Sequence, residues 1–197
     1  MNESPTKERI LEAAEAIILE QSFHSVGLNQ ILSAVSVPKG SFYYYFKSKE
    51  QFGVEMLQHY ANEAYSRRRE FLHNTEINKN PVERLLAFFL SVIERVHESG
   101  GKCPCLLQKL AAEVSNFSDP MREELAKGIS KTIDLFKETL DEAVTEGSLP
   151  PNFDTTSESE FIMDYWAGAQ QRAITVRNVA PLTTAVETFR KRLSASS

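Results

Sequence analysis

The chain has 197 residues, of which 42% are hydrophobic and 25% charged, so it can bury the cores of one or two globular domains. Its net charge of −5 excludes a uniformly basic nucleic-acid binder, and any DNA contact must rest on a local cluster of positive charge. The amino-terminal stretch lacks the apolar segment of a signal peptide, and the longest apolar run, 85–90, is too short to span a membrane. Two cysteines make no disulfide framework. We therefore expect a cytoplasmic protein without a membrane partner.

Apolar residues that recur every three or four positions predict helices along most of the chain, and no stretch alternates strongly enough to indicate a sheet. The residues between them favour the same interpretation, since Asp119 is expected to cap a helix that begins at Pro120 and ends near Gly147. The fold is therefore predicted to be all-α. The predicted helices cover residues 5–21, 28–35, 49–72, 82–96, 105–114, 120–147, 157–177 and 181–194.

The segment 36–50, SVPKGSFYYYFKSKE, can be interpreted in two ways. Its aromatic run favours a β-strand, but a single strand in a helical chain would leave its backbone polar groups without partners. In a short helix, Phe42 and Phe46 fall on one face, and Pro38 suits the first turn. We therefore predict a helix with a buried phenylalanine stripe and an outer face that is small, hydroxylated and basic.

This segment and the helix before it form two short helices joined by a few residues, which is the pattern of a helix-turn-helix. The second helix of that motif enters the major groove of DNA. Gly40 allows the backbone to approach phosphates closely, and the serine and tyrosine hydroxyls can donate to phosphate oxygens or base edges. Three lysines and no acidic residue in 36–49 give a local charge of +3. The alternative interpretation is a solvated helix face with buried tyrosines.

Residues 27–49 read GLNQILSAVSVPKGSFYYYFKSK, and about residues 6–50 resemble the DNA-binding region of the TetR family of transcriptional repressors. The chain departs from the family pattern at Ser36, where the turn usually contains glycine, and at Ser22 and Leu32. A residue other than glycine with a positive φ is strained. Ser36 therefore changes the expected detail of the turn but leaves the motif intact.

The resemblance implies a set of residues that face DNA. Asn29 and Tyr44 are expected to read bases, and the other members are expected to hold phosphates. The full set is Asn29, Lys39, Gly40, Ser41, Tyr43, Tyr44, Tyr45 and Lys49.

The resemblance also implies two domains, a three-helix DNA-binding domain at residues 1–50 and a larger helical domain at 51–197 that binds ligand and forms a homodimer. In the family, the last two helices of each subunit form a four-helix bundle across a two-fold axis. A two-fold dimer suits a palindromic operator, whose half-sites lie about one DNA turn apart. An apolar stripe is assigned to this contact, and the alternative is that it belongs to the core of the monomer. The assigned residues are Tyr165, Ala169, Ala173, Val186 and Phe189.

The stretch 100–114, GGKCPCLLQKLAAEV, puts Cys105 in the predicted first turn of a helix, near Lys102 and Lys109. The helix dipole and the lysines are expected to lower the pKa of the thiol and make it more nucleophilic. The stretch is similar to a branch of the family whose repressors sense electrophiles. That resemblance implies that Cys105, with Cys103 beside it, reports reactive small molecules.

Three alternatives for these cysteines stay open. Both can be small buried apolar side chains, as cysteines without a disulfide often are. A zinc site is the second, although zinc takes four ligands and only His97 lies nearby in sequence. A Cys103–Cys105 disulfide is the third, and it would close a tight, strained ring.

Helical bundles commonly place a ligand pocket between their helices, and the larger domain has aromatic residues suited to line one. Each of these residues can instead be plain core. The arginine run 67–69 is a solvated helix face or, alternatively, a second DNA-binding patch. The residues assigned to the pocket are Tyr60, Phe89, Phe136 and Trp166.

The predicted function is a homodimeric repressor that binds a double-stranded DNA operator. A small-molecule inducer, either an electrophile or a non-covalent ligand, is expected to release it. The chain has no nucleophile–base arrangement, paired carboxylates or phosphate-binding loop, so we predict no enzymatic activity, cofactor or metal. The alternatives are a regulator that takes no ligand, an activator and, from another class, a small helical enzyme.

Overall fold

The structure, a computed structural model, describes residues 4–100 and 105–194 and contains helices and loops but no strand within these ranges. The all-α prediction is confirmed, and the predicted helix bounds differ from the observed ones by at most two residues. Within the described residues, no helix is both long enough and apolar enough to cross a membrane. The helices are α1 (Pro5–Glu20), α2 (Leu28–Ala34), α3 (Lys39–Tyr45), α4 (Lys49–His73), α5 (Pro81–Glu98), α6 (Leu106–Val114), α7 (Asp119–Thr145), α8 (Thr155–Val176) and α9 (Ala180–Ser194).

The chain divides into two compact units. The first unit contains Met1–Glu63 and Cys105–Ile129, and the second contains Ala64–Pro104 and Ser130–Ser197. Helices α4 and α7 therefore contribute to both units, and α6 belongs to the first unit, where it packs on α1. A division along the chain at residue 50 separates α6 from α1, on which it packs.

Three phenylalanine rings hold α3 in the first unit. Phe42 lies in α3, Phe46 directly follows it, and the two buried ring centroids are 5.2 Å apart. Each also lies within 5.5 Å of the ring centroid of Phe52 in α4. The predicted buried stripe is therefore confirmed. Pro38 is the N-cap residue of α3 and lies just outside the first turn in which it was expected.

Close packing in the first unit depends on Gly53 in α4. A Cβ atom at this position would lie 2.7 Å from Cζ of Phe23 and 2.8 Å from Cε of Met121. Both distances are shorter than a van der Waals contact, so a side chain here would push apart α4, the loop after α1, and α7. Glycine thus lets these three elements approach one another.

At two helix starts, the residue that caps the helix differs from the sequence prediction. Cys105 is the N-cap residue of α6 and does not lie in its first turn. At α7, the cap is Ser118 and not Asp119, because Ser118 Oγ accepts from the backbone N–H of Met121 at 3.3 Å. The Ser118 hydroxyl also donates to Oε1 of Glu50 at 2.7 Å, a contact between distant segments that the local pattern does not reveal.

The core of the second unit is an aromatic cluster centred on Phe89. The Phe89 ring centroid lies 4.6 Å from that of Trp166, 5.2 Å from that of Phe189 and 5.4 Å from that of Phe136. Phe89 and Phe189 are fully buried, and the other two are nearly so. The cluster joins α5, α7, α8 and α9.

A buried arginine in the second unit fixes the loop between α4 and α5. Arg84 is fully buried, and its guanidinium donates to the carbonyl oxygens of Leu72, Asn78 and Lys79 at 2.7–3.0 Å. Its charge is paired with Glu142 of α7 at 2.5 Å. These four partners satisfy a cation that would be costly to bury alone.

Candidate DNA-binding surface and sensor helix

The outer face of α3 is aromatic and open to solvent. Tyr43 is 64% exposed and Tyr44 is 83% exposed, although large aromatic side chains usually bury most of their surface. Their positions follow from the phenylalanine anchor, because burial of Phe42 and Phe46 turns the opposite face of the short helix outward. Tyr45 and Ser41 are half-buried at the edges of this face.

The exposed tyrosines are accompanied by positive charge. Lys39 in the first turn of α3 and Lys47 after its end are both exposed, and residues 36–49 contain no acidic side chain. Such a face attracts the phosphate backbone of DNA even though the whole chain is acidic. Asn29 of α2 is also exposed, so its amide is available to a partner.

Gly40 has no internal reason to be glycine. A Cβ atom built at this position would have no heavy atom within 4 Å, and Gly40 lies inside α3. Glycine in a helix costs about 1 kcal/mol relative to alanine. An open position that retains glycine at this cost suits a close approach by a partner from outside, as expected for a helix in the groove of DNA.

Lys49 is placed differently from the other predicted contact residues. Its ammonium donates to the carbonyl oxygens of Val26 at 3.0 Å and His24 at 3.4 Å. It also lies 5.1 Å from the centroid of the Phe23 ring. In the structure, Lys49 therefore braces the start of α4 against the loop after α1, and its contact with DNA stays a prediction.

Helix α6 begins directly after the candidate sensor residue, Cys105. Cys105 is half-buried, and the next residue, Leu106, donates its backbone N–H to the hydroxyl of Tyr60 at 3.1 Å. Tyr60 thus binds the start of α6 in the first unit, whereas the three other predicted pocket residues belong to the second unit. Cys103 lies outside the described residues.

The same helix contacts α1 and the loop after it at two further points. Lys109 donates to the carbonyl oxygen of Leu19 in α1 at 2.6 Å, so its ammonium is directed to α1 and not to Cys105 as predicted. One turn later, Oε1 of Glu113 accepts from the Ser22 hydroxyl at 2.7 Å and from the backbone N–H of His24 at 3.0 Å. Sequence reasoning missed Glu113, because its partners are about 90 residues away in the chain.

The hydrogen bonds at Glu113 affect its protonation. Partial burial would raise the pKa of this carboxyl, but the hydrogen bonds from Ser22 and His24 outweigh burial and lower the pKa below its ordinary value. Glu113 is therefore ionised at neutral pH. A fixed carboxylate at this point holds the loop between α1 and α2 through charge-assisted hydrogen bonds.

The predicted pocket residues of the second unit are tightly packed. Phe89, Phe136 and Trp166 belong to the aromatic cluster, in which the rings of Phe136 and Trp166 both contact that of Phe89. The structure therefore favours plain core for these three side chains. A more open depression of about 660 Å³ lies along the carboxyl-terminal half of α4 and was not predicted from the sequence. It is lined by Tyr65, Ser66, Arg69, Glu70 and His73.

Four of the five predicted dimer residues are buried within one protomer. Ala173 is 2% exposed and Phe189 is fully buried, while Ala169 and Val186 retain less than a tenth of their surface. For these four residues, the structure favours the alternative of a monomer core. Tyr165 is 38% exposed and remains available for contact with a second copy.

The structure also bears on the zinc site and on the arginine run of α4. Within residues 4–100 and 105–194, no cluster of three or more His, Cys, Asp and Glu side chains could hold a metal ion. In the arginine run, Arg68 donates to the Thr132 hydroxyl at 3.3 Å, and its neighbours Arg67 and Arg69 are exposed. This arrangement is that of a largely solvated helix face.

Helices α2 and α3, with an exposed basic and aromatic face on α3, define a helix-turn-helix DNA-binding protein. Comparison with known families agrees with this class. The sequence-family model described as bacterial regulatory proteins, tetR family, matches residues 10–56. The model described as tetracyclin repressor-like, C-terminal domain, matches residues 81–189.

Individual relatives extend the match over most of the chain. The HTH-type transcriptional repressor NemR of Escherichia coli K12 is 33% identical over 93% of this chain and 92% of its own length. The repressor DhaR of Mycobacterium sp. GP1 is 29% identical over 92% and 89%, respectively. The crystal structure of the reduced form of E. coli NemR matches with a TM-score of 0.87 and 31% identity, covering 98% of this chain and all of that one.

The chain therefore belongs to the TetR family of bacterial regulatory proteins. It is a transcriptional regulator and not an enzyme. Regulators of this family bind DNA operators and small-molecule ligands and act as dimers.

Proposed function

We propose that this protein is a homodimeric repressor that binds a palindromic operator and is released when an electrophilic small molecule modifies Cys105. The observation that carries the proposal is the position of Cys105 at the start of α6, which belongs to the same unit as the helix-turn-helix. Relatives named as repressors, NemR and DhaR, support the direction of regulation.

DNA recognition is assigned to the exposed residues of α2 and α3, within an amino-terminal domain at about residues 1–50. Tyr44 and Asn29 read base edges, and Lys39, Tyr43, Ser41 and the backbone at Gly40 hold phosphates. Exposure supports these roles for all of these residues except Ser41. Ser41 and Tyr45, which is also assigned to phosphate, are half-buried at the edge of the face.

Dimer formation is assigned to the solvent-facing sides of α8 and α9. Their opposite sides fill the core of the second unit, so contact with another copy uses the residues that remain outside it. Tyr165 is the exposed aromatic residue on this side of α8, and Phe161 beside it is half-buried with Arg192 over its ring at 4.0 Å. Dimerisation puts two recognition helices on one palindrome.

Sensing is assigned to Cys105 and its helix. In the reaction, the sulfur adds to the electrophilic carbon of an activated carbon–carbon double bond. The π bond opens, and the neighbouring carbon takes up the proton that the thiol loses, so no group leaves. The adduct adds bulk at the N-cap of α6. In the first turn that follows, the backbone N–H of Leu106 is hydrogen-bonded to Tyr60, and Leu107 packs on Gly128. A Cβ atom at Gly128 would lie 2.9 Å from Leu107, so this contact has no spare room.

Displacement of α6 reaches the DNA-binding helices through the contacts of Lys109 with Leu19 and of Glu113 with Ser22 and His24. The adduct releases DNA only if it favours the conformation that does not bind the operator. These contacts supply such a preference, because the arrangement of α1 and the loop after it depends on the position of α6.

The experiment measures binding of the purified protein to the DNA that flanks its own gene, at two salt concentrations, with and without N-ethylmaleimide. Wild type, Cys105→Ser and Cys103→Ser are compared. The proposal expects salt-sensitive binding that the electrophile weakens at least tenfold in wild type and Cys103→Ser but not in Cys105→Ser. If no variant binds this DNA, the proposal that the protein regulates its own locus is refuted. If the protein binds but the electrophile does not weaken binding, the proposal that Cys105 is a sensor is refuted.

A second variant tests the route from sensor to DNA. Glu113→Gln keeps the shape of the side chain but removes its charge, which weakens the hydrogen bonds to Ser22 and His24. The adduct is expected to form on this variant as fast as on wild type, measured by mass spectrometry, while release of DNA becomes less complete. A variant that forms the adduct and releases DNA fully would show that the route does not pass through Glu113.

A further inference from the structure

The turn between α2 and α3 has serine where a helix end of this type favours glycine. Ser36 has a φ of 56°, in the left-handed region. Its N–H donates to the carbonyl of Ser33 at 3.2 Å, and the N–H of Val37 donates to that of Leu32 at 2.9 Å. These two hydrogen bonds form a Schellman motif, in which the left-handed residue is usually glycine because a Cβ atom there is strained.

An arginine from α1 binds the peptide next to this strained residue. Nη2 of Arg9 donates to the carbonyl oxygen of Val35 at 2.9 Å, across 26 residues of sequence. Val35 is the C-cap residue of α2, and its carbonyl is one of those that a helix end leaves without an intrahelical partner. A cation at this position also interacts favourably with the negative end of the helix dipole.

We propose that Arg9 is a positioning residue for DNA recognition, which holds the strained turn at Ser36 and thereby sets the orientation of α3. This inference rests on the proposed role of α3 in reading the operator. Only the residues from Val35 to Pro38 separate α2 from α3, so a change of the Val35–Ser36 peptide changes where α3 begins. The hydrogen bond from Arg9 fixes that peptide from outside the motif.

The phenylalanine anchor of α3 does not fix the orientation of this helix by itself. Helix α3 has seven residues, and the buried side chain within it is Phe42. Phe46 follows directly after it and is fully buried. One row of buried phenylalanines fixes how deeply α3 sits in the unit, but it restricts rotation of the helix about that row less. The turn at the amino-terminal end of α3 supplies the missing restraint. Base readout requires this restraint, because side chains must meet base edges within hydrogen-bond distance.

The competing role for an exposed arginine near DNA is a direct phosphate contact. The two roles differ in salt dependence, since removing one phosphate contact lowers the slope of log K against log salt by about 0.9. A positioning residue changes operator affinity without changing this slope. A positioning residue also affects the structure of the protein in the absence of DNA, whereas a residue that only contacts phosphate does not.

The first test measures amide hydrogen exchange by NMR on the full-length protein without DNA. Arg9→Met is expected to raise the exchange rates of Val37 and the α3 amides about tenfold, because a charge-assisted hydrogen bond is lost. Arg9→Lys, which can still donate to Val35, recovers part of the protection. Adding Ser36→Gly to Arg9→Met recovers protection as well, since glycine removes the strain. Unchanged exchange in Arg9→Met would overturn the proposal whether or not the protein binds its operator.

The second test measures affinity for the operator and for unrelated DNA at four salt concentrations. Arg9→Met is expected to lower operator affinity about tenfold with an unchanged salt slope and unchanged affinity for unrelated DNA. Arg122→Met is the matched control, since Arg122 is an exposed arginine of the same unit paired with Asp119 at 3.2 Å. A smaller slope in Arg9→Met alone would overturn positioning in favour of phosphate contact. Wild-type protein that binds no DNA would refute the proposed function, and the exchange measurement would still decide the role of Arg9.

Discussion

The two units use aromatic residues in opposite ways. In the first unit, α3 exposes Tyr43 and Tyr44, and the Tyr43 ring contacts the buried Phe42. In the second unit, Phe89 and Phe189 are fully enclosed by other rings. The residue class is the same, but the surroundings differ. Residues 36–49, which include α3, contain lysines and no acidic residue, whereas the second cluster joins four helices.

This contrast separates residues that hold the fold from residues that meet a partner. An aromatic side chain contributes to stability in proportion to the surface that it buries. Tyr44 buries little of its surface, so it contributes little to stability, and its ring is available for an interaction. Phe89 buries all of its surface, so its loss must first affect stability.

The largest expected effect is at the centre of the second cluster. Phe89→Ala is expected to lower the free energy of unfolding by about 3–5 kcal/mol, because it leaves a cavity between the rings of Trp166, Phe136 and Phe189. Urea denaturation followed by circular dichroism measures this change. Tyr44→Ala serves as the comparison, with an expected change within about 0.5 kcal/mol. Equal losses in both variants would remove the distinction between the two regions.

The next effect is on DNA binding, for which Tyr44→Ala and not Phe89→Ala is expected to be the variant with the larger loss. Tyr44→Ala is expected to weaken operator binding by about 1–3 kcal/mol, as for the loss of a base contact, while unfolding is unchanged. Tyr44→Phe separates the hydroxyl from the ring, since it removes only the donor. Fluorescence anisotropy with the operator measures both. If Tyr44→Ala binds the operator with full affinity, the exposed ring of Tyr44 does not contribute to DNA binding.

A smaller effect distinguishes the two basic segments. Lys39→Gln is expected to lower the salt slope by about 0.9 for each phosphate contact that it removes, and in a dimer it removes two. Arg69→Gln removes the same charge from an exposed position on α4 and is expected to leave the slope unchanged. Affinities at four salt concentrations give the slopes. A lower slope in Arg69→Gln would instead indicate that the arginine run is a second DNA-binding patch.

The smallest effect is a pH dependence of the first unit. Burial would lower the pKa of His59, but its hydrogen bond with Glu15 at 2.8 Å and the charges of Glu15, Glu63 and Glu12 outweigh burial and raise the pKa. Because the pKa in the folded state lies above the unfolded value of 6.5, the protonated pair stabilises the fold fully below pH 6.5. This stabilisation is lost as the pH rises through the folded pKa.

The measurement is the free energy of unfolding of wild type and His59→Gln between pH 5.5 and pH 9, by urea denaturation. The difference between the two is expected to be largest at the acidic end of this range and to decrease towards the alkaline end. The other histidines are present in both proteins, so their contributions cancel in this difference. A constant difference would show that the charge of His59 does not contribute to stability.

Most of the fold could be predicted from the sequence, because helical periodicity and turn residues are local signals. The bounds of the long helices and the buried pair Phe42 and Phe46 follow from spacing alone. The cap of α7 did not follow from it, since Ser118 is selected partly by its hydrogen bond to the distant Glu50. A pattern along the chain carries no information about such partners.

The candidate site was predicted unevenly for the same reason. The exposure of Tyr43 and Tyr44 follows from the helical wheel, because the opposite face is apolar. The roles of Glu113 and Lys109 did not follow, because their partners in α1 and the loop after it lie about 90 residues away. The apolar stripe of α8 and α9 was ambiguous, since core and dimer contact require the same side chains.

The sequence by itself determined the helices, the helix-turn-helix and the basic, aromatic face of α3, because each depends on residues within one or two turns of each other. Only the tertiary structure decided that α6 packs on α1, that Arg9 supports the turn at Ser36, and that Phe89 and Trp166 belong to a closed core. These features depend on which distant surfaces exclude water together and which carbonyl groups still need a donor after the helices have formed.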